Sequence, residues 1–425
     1  MNYTKYDMGN YNLYLIKNDK FKTISLSINF RRPNTREDEV KRAILTKMLP
    51  LATAQYPSLD KLCQAKAELY TPSLNLTSAA SGQERWICLE SSFVNEKYTE
   101  PGMNAKTLAF IMDYIWHPYI VADSFDPKIF DICRHEYIES LRSLKDDADK
   151  YSRERAWEEM QIYDFKEMLP DECIEFAKTL TAQDLYQYYL SIFEEDCLDI
   201  FITGQFDDEK IKTEIAKHVK GNFKPSYKNR FIIQTDDRSD IKKVTENSEN
   251  EQSKLIIGLK YIEPTDYELR YVSLAYNNIL GGGWNSKLNK VVREENSLCY
   301  YIFASRKMTF GIAFINSGID KYDVSKALEL IKKQMEKMRQ GEISEEELQT
   351  VKDIYHNAII DIEDNQFSIL SSVIAEVFNG NDNLQTRLAK MDKVTIDDIA
   401  SFAKKVKIDT IYLLEGGNTN AKENL

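Results

Sequence analysis

Four histidines, six cysteines and one run of three consecutive glycines are the places where this chain of 425 residues has the means for chemistry. A catalytic zinc site needs His, Cys or Glu at fixed spacing, commonly two on one helical face and a third from elsewhere. His117, His135, His218 and His356 lie far apart, and no two fall on adjacent helical turns. His135 beside Glu136 comes nearest to a ligand pair, but neighbours on a helix point to different faces, so it reads as an ordinary helical pair. Nucleophilic catalysis is no better served. There is no G-x-S-x-G elbow, and Cys299 sits in the apolar "SLCYYIF" with no histidine near it in sequence. Carboxylate runs such as "SEEEL" and "EENSL" read as solvated helix faces. On residue types alone the chain does not look like an enzyme.

The glycines lie in "LGGGWNSKLNKVVREENSLCYY", Leu280 to Tyr301. Neither a phosphate loop (G-x-x-x-x-G-K-[ST]) nor a dinucleotide fingerprint (G-x-G-x-x-G) is satisfied. The preceding "ELRYVSLAYNNIL" has helical periodicity, so the glycines are expected just past a helix end, in a left-handed cap. Asn285 or Ser286 is then expected to cap a new helix, "SKLNKVVREEN", leading into a strand.

The elements that must position these residues come in two similar sets. The chain is too long for one ordinary core, and 43% hydrophobic with 29% charged residues suits folded, soluble domains. A formal charge of −12 opposes binding to phosphate backbones, so no nucleic-acid partner is expected. No apolar run is long enough to cross a bilayer. Cys63, Cys88, Cys133, Cys173, Cys197 and Cys299 form no tight pair, and the polar start lacks a signal peptide's pattern, so a reducing cytoplasm is expected.

"NYNLYLIKNDKFKTISLSINF" reads as a hairpin, and "IKKVTENSENEQSKLIIGLKY" repeats the scheme from Ile241. A proline (Pro33, Pro264) and a helix-period segment follow in each case. Each half also ends alike, with T-x-x-D at Thr181 or Thr395 as a helix N-cap, then an apolar strand closing at Gly204 or Gly416. The expected fold is therefore α+β, two duplicated homologous domains, each a mainly antiparallel sheet packed with helices. Residues 1–228 form the first, with a linker from about 205, and 229–425 the second.

"LGGGWNSKLNKVVREENSLCYYIFAS" resembles the second-domain signature of pitrilysin- and insulinase-type zinc peptidases, in the branch of mitochondrial processing peptidase and its bacterial relatives. That resemblance implies the LuxS- and processing-peptidase-like metallohydrolase fold. It also implies that Arg293 and Tyr300 bind peptide substrate near the scissile bond, roles suited to a fixed-charge multiple donor and a rigid phenol. Aligned through "MLPLATAQYPS", the family's H-x-x-E-H zinc motif falls on Ala43, Thr46 and Lys47, and its third ligand near Glu139 or Ser140. Neither histidine nor the glutamate of the motif is present. The chain is thus similar to the family's non-catalytic subunits, most like the bacterial YfmF-like group.

The resemblance implies a heterodimer in which this chain holds no cofactor. Zinc is expected in a catalytic H-x-x-E-H partner, with a peptide or unfolded protein as substrate and no membrane partner. It further implies a link to elongation factor P modification, and in isolation a homodimer is an alternative. The segment "SLNLTSAASGQERWICLESSF" offers either a sheet edge for an extended peptide or an ordinary hairpin. The competing class is an assembly protein of the same fold without a peptidase role. For Arg293 the plain alternative is a surface pairing with Glu294 or Glu295. For Tyr300 it is a core aromatic, with Tyr301 facing the other way.

Overall fold

A computed structural model describes residues 2–162, 168–235 and 240–417. Two compact units are formed, one from Met1–Leu141, Lys166–Arg230 and Ile360–Asn383, the other from Arg142–Phe165, Phe231–Ile359 and Leu384–Leu425. One change of unit falls at Arg230/Phe231. Each unit also takes one segment from the other half of the sequence, which contiguous domains did not include. The stretch expected as a linker from about 205 carries a helix, Asp208–His218, and part of its charged "QTDDRSD" lies outside the described residues.

The first unit holds β1 (Thr4–Asp7), β2 (Asn12–Lys17), β3 (Thr23–Pro33), β4 (Ser73–Ser81), β5 (Glu84–Val94), the short ribbon β6 (Ile120–Val121) and β7 (Ser124–Phe125), and β8 (Cys197–Gly204). The second holds β9 (Lys242–Ser248), β10 (Ser253–Tyr261), β11 (Cys299–Lys307), β12 (Ile312–Ile319) and β13 (Val406–Gly416). The main sheets run β1-β2-β8-β3-β5-β4 and β11-β12-β10-β13-β9. Setting β1 aside and reversing the second, the two orders coincide strand for strand. The pairing senses coincide too: β2 with β8 and β9 with β13 are parallel, and the remaining pairs of both main sheets are antiparallel.

This plan corrects the hairpin expected at the start of each half. The strands β2 and β3 are separated by β8, and β9 and β10 by β13. Every residue of β8 is buried, so this apolar strand takes the central place and displaces the local pairing that a polar turn alone would favour. The closing helices behave as expected. Thr181 and Thr395 accept hydrogen bonds from the main-chain N–H groups of Asp184 and Asp398, and each Asp reaches back to complete a capping box.

Each sheet has two covered faces. In the first unit the helix Asp38–Met48 sets Val40, Ile44 and Leu45 into a core with Leu26, Ile28 and Leu89. On the other side Ile369, Leu370, Val373 and Phe378 of the helix Gln366–Asn379 pack with Tyr14, Ile16 and Phe201. In the second unit the helix Ala148–Met160 packs Ala156 and Met160 with Ile256, Phe314 and Tyr412. Gly258 of β10 permits this approach, since a Cβ there would lie 2.5 Å from Met160 Sδ. In both units, then, one sheet face is completed by a helix drawn from the opposite half of the sequence.

Candidate functional site

The helix Asp38–Met48 is anchored by charge as well as by its apolar stripe. Arg42 is wholly buried; its Nη2 donates to Asp196 Oδ2 at 2.6 Å, its Nε to the Tyr188 hydroxyl at 2.9 Å and its Nη1 to Phe30 O at 3.0 Å. Asp38 accepts from Arg32 at 2.9 Å and from Tyr188 at 2.6 Å. Burial would raise the Asp38 carboxyl, but Arg32, Arg42 and the hydrogen bonds outweigh it and hold its pKa below the ordinary carboxylate value.

On this helix Ala43 is half-buried and presents a methyl group. Thr46 is buried, and its hydroxyl donates to Ala43 O at 3.1 Å. Lys47 Nζ lies 3.9 Å from Glu136 Oε2, with both side chains substantially exposed. Across from them, on the helix Pro127–Arg142, the Ser140 hydroxyl donates to Tyr137 O at 2.6 Å. A methyl, a hydroxyl spent on a carbonyl and a donor-only ammonium are not zinc ligands. Among the described residues no cluster of three or more His, Cys, Asp or Glu is arranged to hold a metal ion. His117, His218 and His356 each contact one carboxylate, of Asp113, Glu214 and Asp392 respectively.

In the second unit the helix Ser273–Gly281 ends at Gly282 with φ −85°. The left-handed glycine cap expected there is not formed. These glycines serve close approach instead. A Cβ on Gly281 would lie 2.8 Å from Ala304 Cβ, and one on Gly282 2.5 Å from Asn278 Cα, whereas Gly283 has open space. Ser286, one of the two expected caps, does start the next helix: its carbonyl accepts from Lys290 N at 3.0 Å and its hydroxyl donates to Gly283 O at 2.6 Å.

That helix is a π-helix over Asn289–Glu295, a wide winding common at functional sites. Arg293 leaves it with its guanidinium carbon 4.6 Å from the centre of the Trp284 ring. The pairing considered with Glu294 or Glu295 is not what holds it. Glu294 instead accepts from Asn289 Nδ2 at 3.1 Å.

The chain turns through Ser297 at φ 53° and enters β11, the outer strand of its sheet. Cys299 pairs with Ile319 and Tyr301 with the adjacent Gly318, so Tyr300 is the unpaired residue of a bulge. It is 70% exposed and therefore not a core aromatic. Tyr301, by contrast, is tied down, its hydroxyl donating to Asp149 and lying 3.3 Å from Lys254 Nζ. Burial, then Asp149, raises the Tyr301 phenol above its ordinary value. Arg293 and Tyr300 thus flank one turn, each presented by an irregularity, while Trp284 went unremarked in the sequence. A tryptophan directly after three glycines, in a loop with no apolar periodicity, was the available signal.

In the first unit β4 is the outer strand and forms a hairpin with β5 across Gly82, so "SLNLTSAASGQERWICLESSF" is an ordinary hairpin whose first strand lies at the sheet edge.

The two main sheets share one strand order, and the helix Asp38–Met48 carries Ala43, Thr46 and Lys47 in place of metal-ligating residues. Residues 179–355 match the family described as peptidase M16 inactive domain. Over 424 residues the chain is 27% identical to the "probable inactive metalloprotease YmfF" of Bacillus subtilis (strain 168), covering 98% of each. A conserved protein from Enterococcus faecalis V583 superposes with a TM-score of 0.88 at 25% identity, over 99% of this chain and 100% of that one. Pitrilysin superposes at 0.71 with 14% identity, over 99% of this chain and 44% of its own. The chain thus carries a peptidase M16 inactive domain over residues 179–355 and is similar over its whole length to a relative named as a probable inactive metalloprotease. The name of the full-length relative corrects the group label from YfmF to YmfF.

Proposed function

We propose that this chain is the non-catalytic subunit of a heterodimeric zinc metallopeptidase, binding an extended peptide for a zinc site in its partner. The observation that carries this reading is Tyr300, an aromatic 70% exposed at a bulge of an outer strand, one turn from an Arg293 braced on Trp284. An exposed aromatic beside a cation stacked on a second exposed aromatic offers a surface suited to a ligand. Arg293 offers up to five N–H donors and Tyr300 a hydroxyl, enough to fix peptide carbonyls and meet charge that develops on one of them. Polarising the scissile carbonyl and activating water belong to the partner's zinc. The six free thiols fit a cytoplasmic setting.

Reconstitution with an H-x-x-E-H partner tests this reading. Arg293→Ala is expected to lower kcat/KM about 10²-fold or more, and Tyr300→Phe by a smaller factor, with complex assembly unchanged. Unaltered kinetics in both variants would leave only an assembly role for the chain.

A further inference from the structure

We infer that the groove behind the glycine loop seats one apolar side chain of the bound peptide, with Trp284 as the specificity-determining residue. This rests on the peptide-binding reading above and names the side-chain class that the same site selects.

The groove is a cavity of about 670 Å³ between the Gly282–Ser286 loop and the helix Glu345–Asp361. Its volume lies within the roughly 300–1,000 Å³ usual for small-ligand sites. Ile279 and Val351 are buried beneath it, while Trp284 at 71% and Ile354 at 56% exposure are large apolar groups left on its walls.

Several of its polar groups are engaged within the chain, and Asn285, Lys290 and Glu346 complete the polar lining. Asn278 Nδ2 donates to Leu274 O at 3.0 Å, the Ser286 hydroxyl to Gly283 O at 2.6 Å and the Thr350 hydroxyl to Glu346 O at 2.8 Å. Glu347 accepts from Lys287 at 2.9 Å and from Ser344 N at 2.8 Å. Trp284 and Ile354 are the large exposed apolar surface of the groove, so an aliphatic or aromatic side chain gains by covering them.

What joins this groove to the peptide site is Trp284 itself. Its ring both lines the cavity and lies against the Arg293 guanidinium. A peptide held by Arg293 thus passes the groove mouth, where Gly283 leaves open space at its Cβ position.

Fluorescence anisotropy on the full chain tests this, with a labelled Gly-Ser host peptide carrying one central Phe and the same peptide carrying Ser there. The Phe peptide is expected to bind at least tenfold more tightly. Trp284→Ala should abolish that preference, as should Gly283→Leu, which fills the mouth from a position free of backbone strain; Gly283→Leu should leave the Ser peptide unchanged, whereas Trp284→Ala, which also removes the ring that braces Arg293, should weaken it as well. Arg293→Ala should weaken both peptides. Equal affinity for the two peptides, a preference untouched by Trp284→Ala and Gly283→Leu, or no binding of the Phe peptide at millimolar concentration would overturn the inference. Binding indifferent to Arg293→Ala would instead overturn the peptide reading on which it rests.

Discussion

The Nζ of Lys47 faces Oε2 of Glu136 at 3.9 Å, bringing an ammonium and a carboxylate together between two helices of the first unit. The resemblance carried by "MLPLATAQYPS" implies that Lys47 falls at the second histidine of H-x-x-E-H. A fixed positive charge there opposes a divalent cation.

Restoring the motif letters is therefore not expected to restore a site. In the triple variant Ala43→His, Thr46→Glu and Lys47→His, the new glutamate occupies a buried position whose hydroxyl now bonds Ala43 O, and the supporting groups that orient zinc ligands were not restored with it. Metal analysis should find neither stoichiometric zinc nor peptide hydrolysis in the triple variant. One zinc per chain with efficient cleavage would show a scaffold still organised for metal.

The same helix depends on the Arg42–Asp196 pair, in which both side chains are fully buried. Arg42→Ala leaves the Asp196 carboxylate with the more distant Arg32 at 3.5 Å and should cost roughly 3–5 kcal/mol in denaturant unfolding. A loss below about 1 kcal/mol would mean that the helix is held by its apolar stripe alone.

The first and third glycines of the run should separate by contact. Gly281→Ala drives a Cβ to 2.8 Å from Ala304 and is expected to destabilise by about 1–3 kcal/mol. Gly283→Ala meets nothing within 4 Å and should stay within about 0.5 kcal/mol of the parent. Thermal unfolding of the two variants makes the comparison.

How much of this was legible beforehand divides along physical lines. Local signals read true: Thr181 and Thr395 cap helices because N-cap chemistry is confined to four residues. The order of elements revealed the duplication. Strand neighbours did not follow from order, because β8 and β13 enter their sheets from far along the chain. The exchanged helices Ala148–Met160 and Gln366–Asn379 carry no mark of which sheet they cover. At the site, family spacing selected Tyr300, but the bulge that exposes it is a matter of register, and the Arg293–Trp284 stack joins residues with no periodic relation.

Acid should loosen the second unit through Glu246 on β9. Its carboxylate accepts from Arg155 Nε and from the Tyr151 hydroxyl, each at 2.8 Å, tying the helix Ala148–Met160 to the strand. Burial would raise its pKa, but Arg155 and Tyr151 prevail and hold it below the ordinary value of 4.5. Its contribution is therefore present above pH 4.5 and lost as pH falls through the lowered value. Glu246→Gln should lower stability at pH 7 and flatten the acid limb of a stability-against-pH series. An acid limb identical to the parent's would assign the helix's attachment to apolar packing.

The most direct measurement of the division of labour is affinity capture of the tagged chain from its native cells, followed by mass spectrometry and a chelator-controlled peptide-hydrolysis assay on the captured material. The expected result is a companion of similar size with an intact H-x-x-E-H motif, and hydrolysis that is abolished by chelation and strongly reduced when the bait carries Arg293→Ala. Recovery of the chain without such a companion, or hydrolysis indifferent to Arg293, would contradict it.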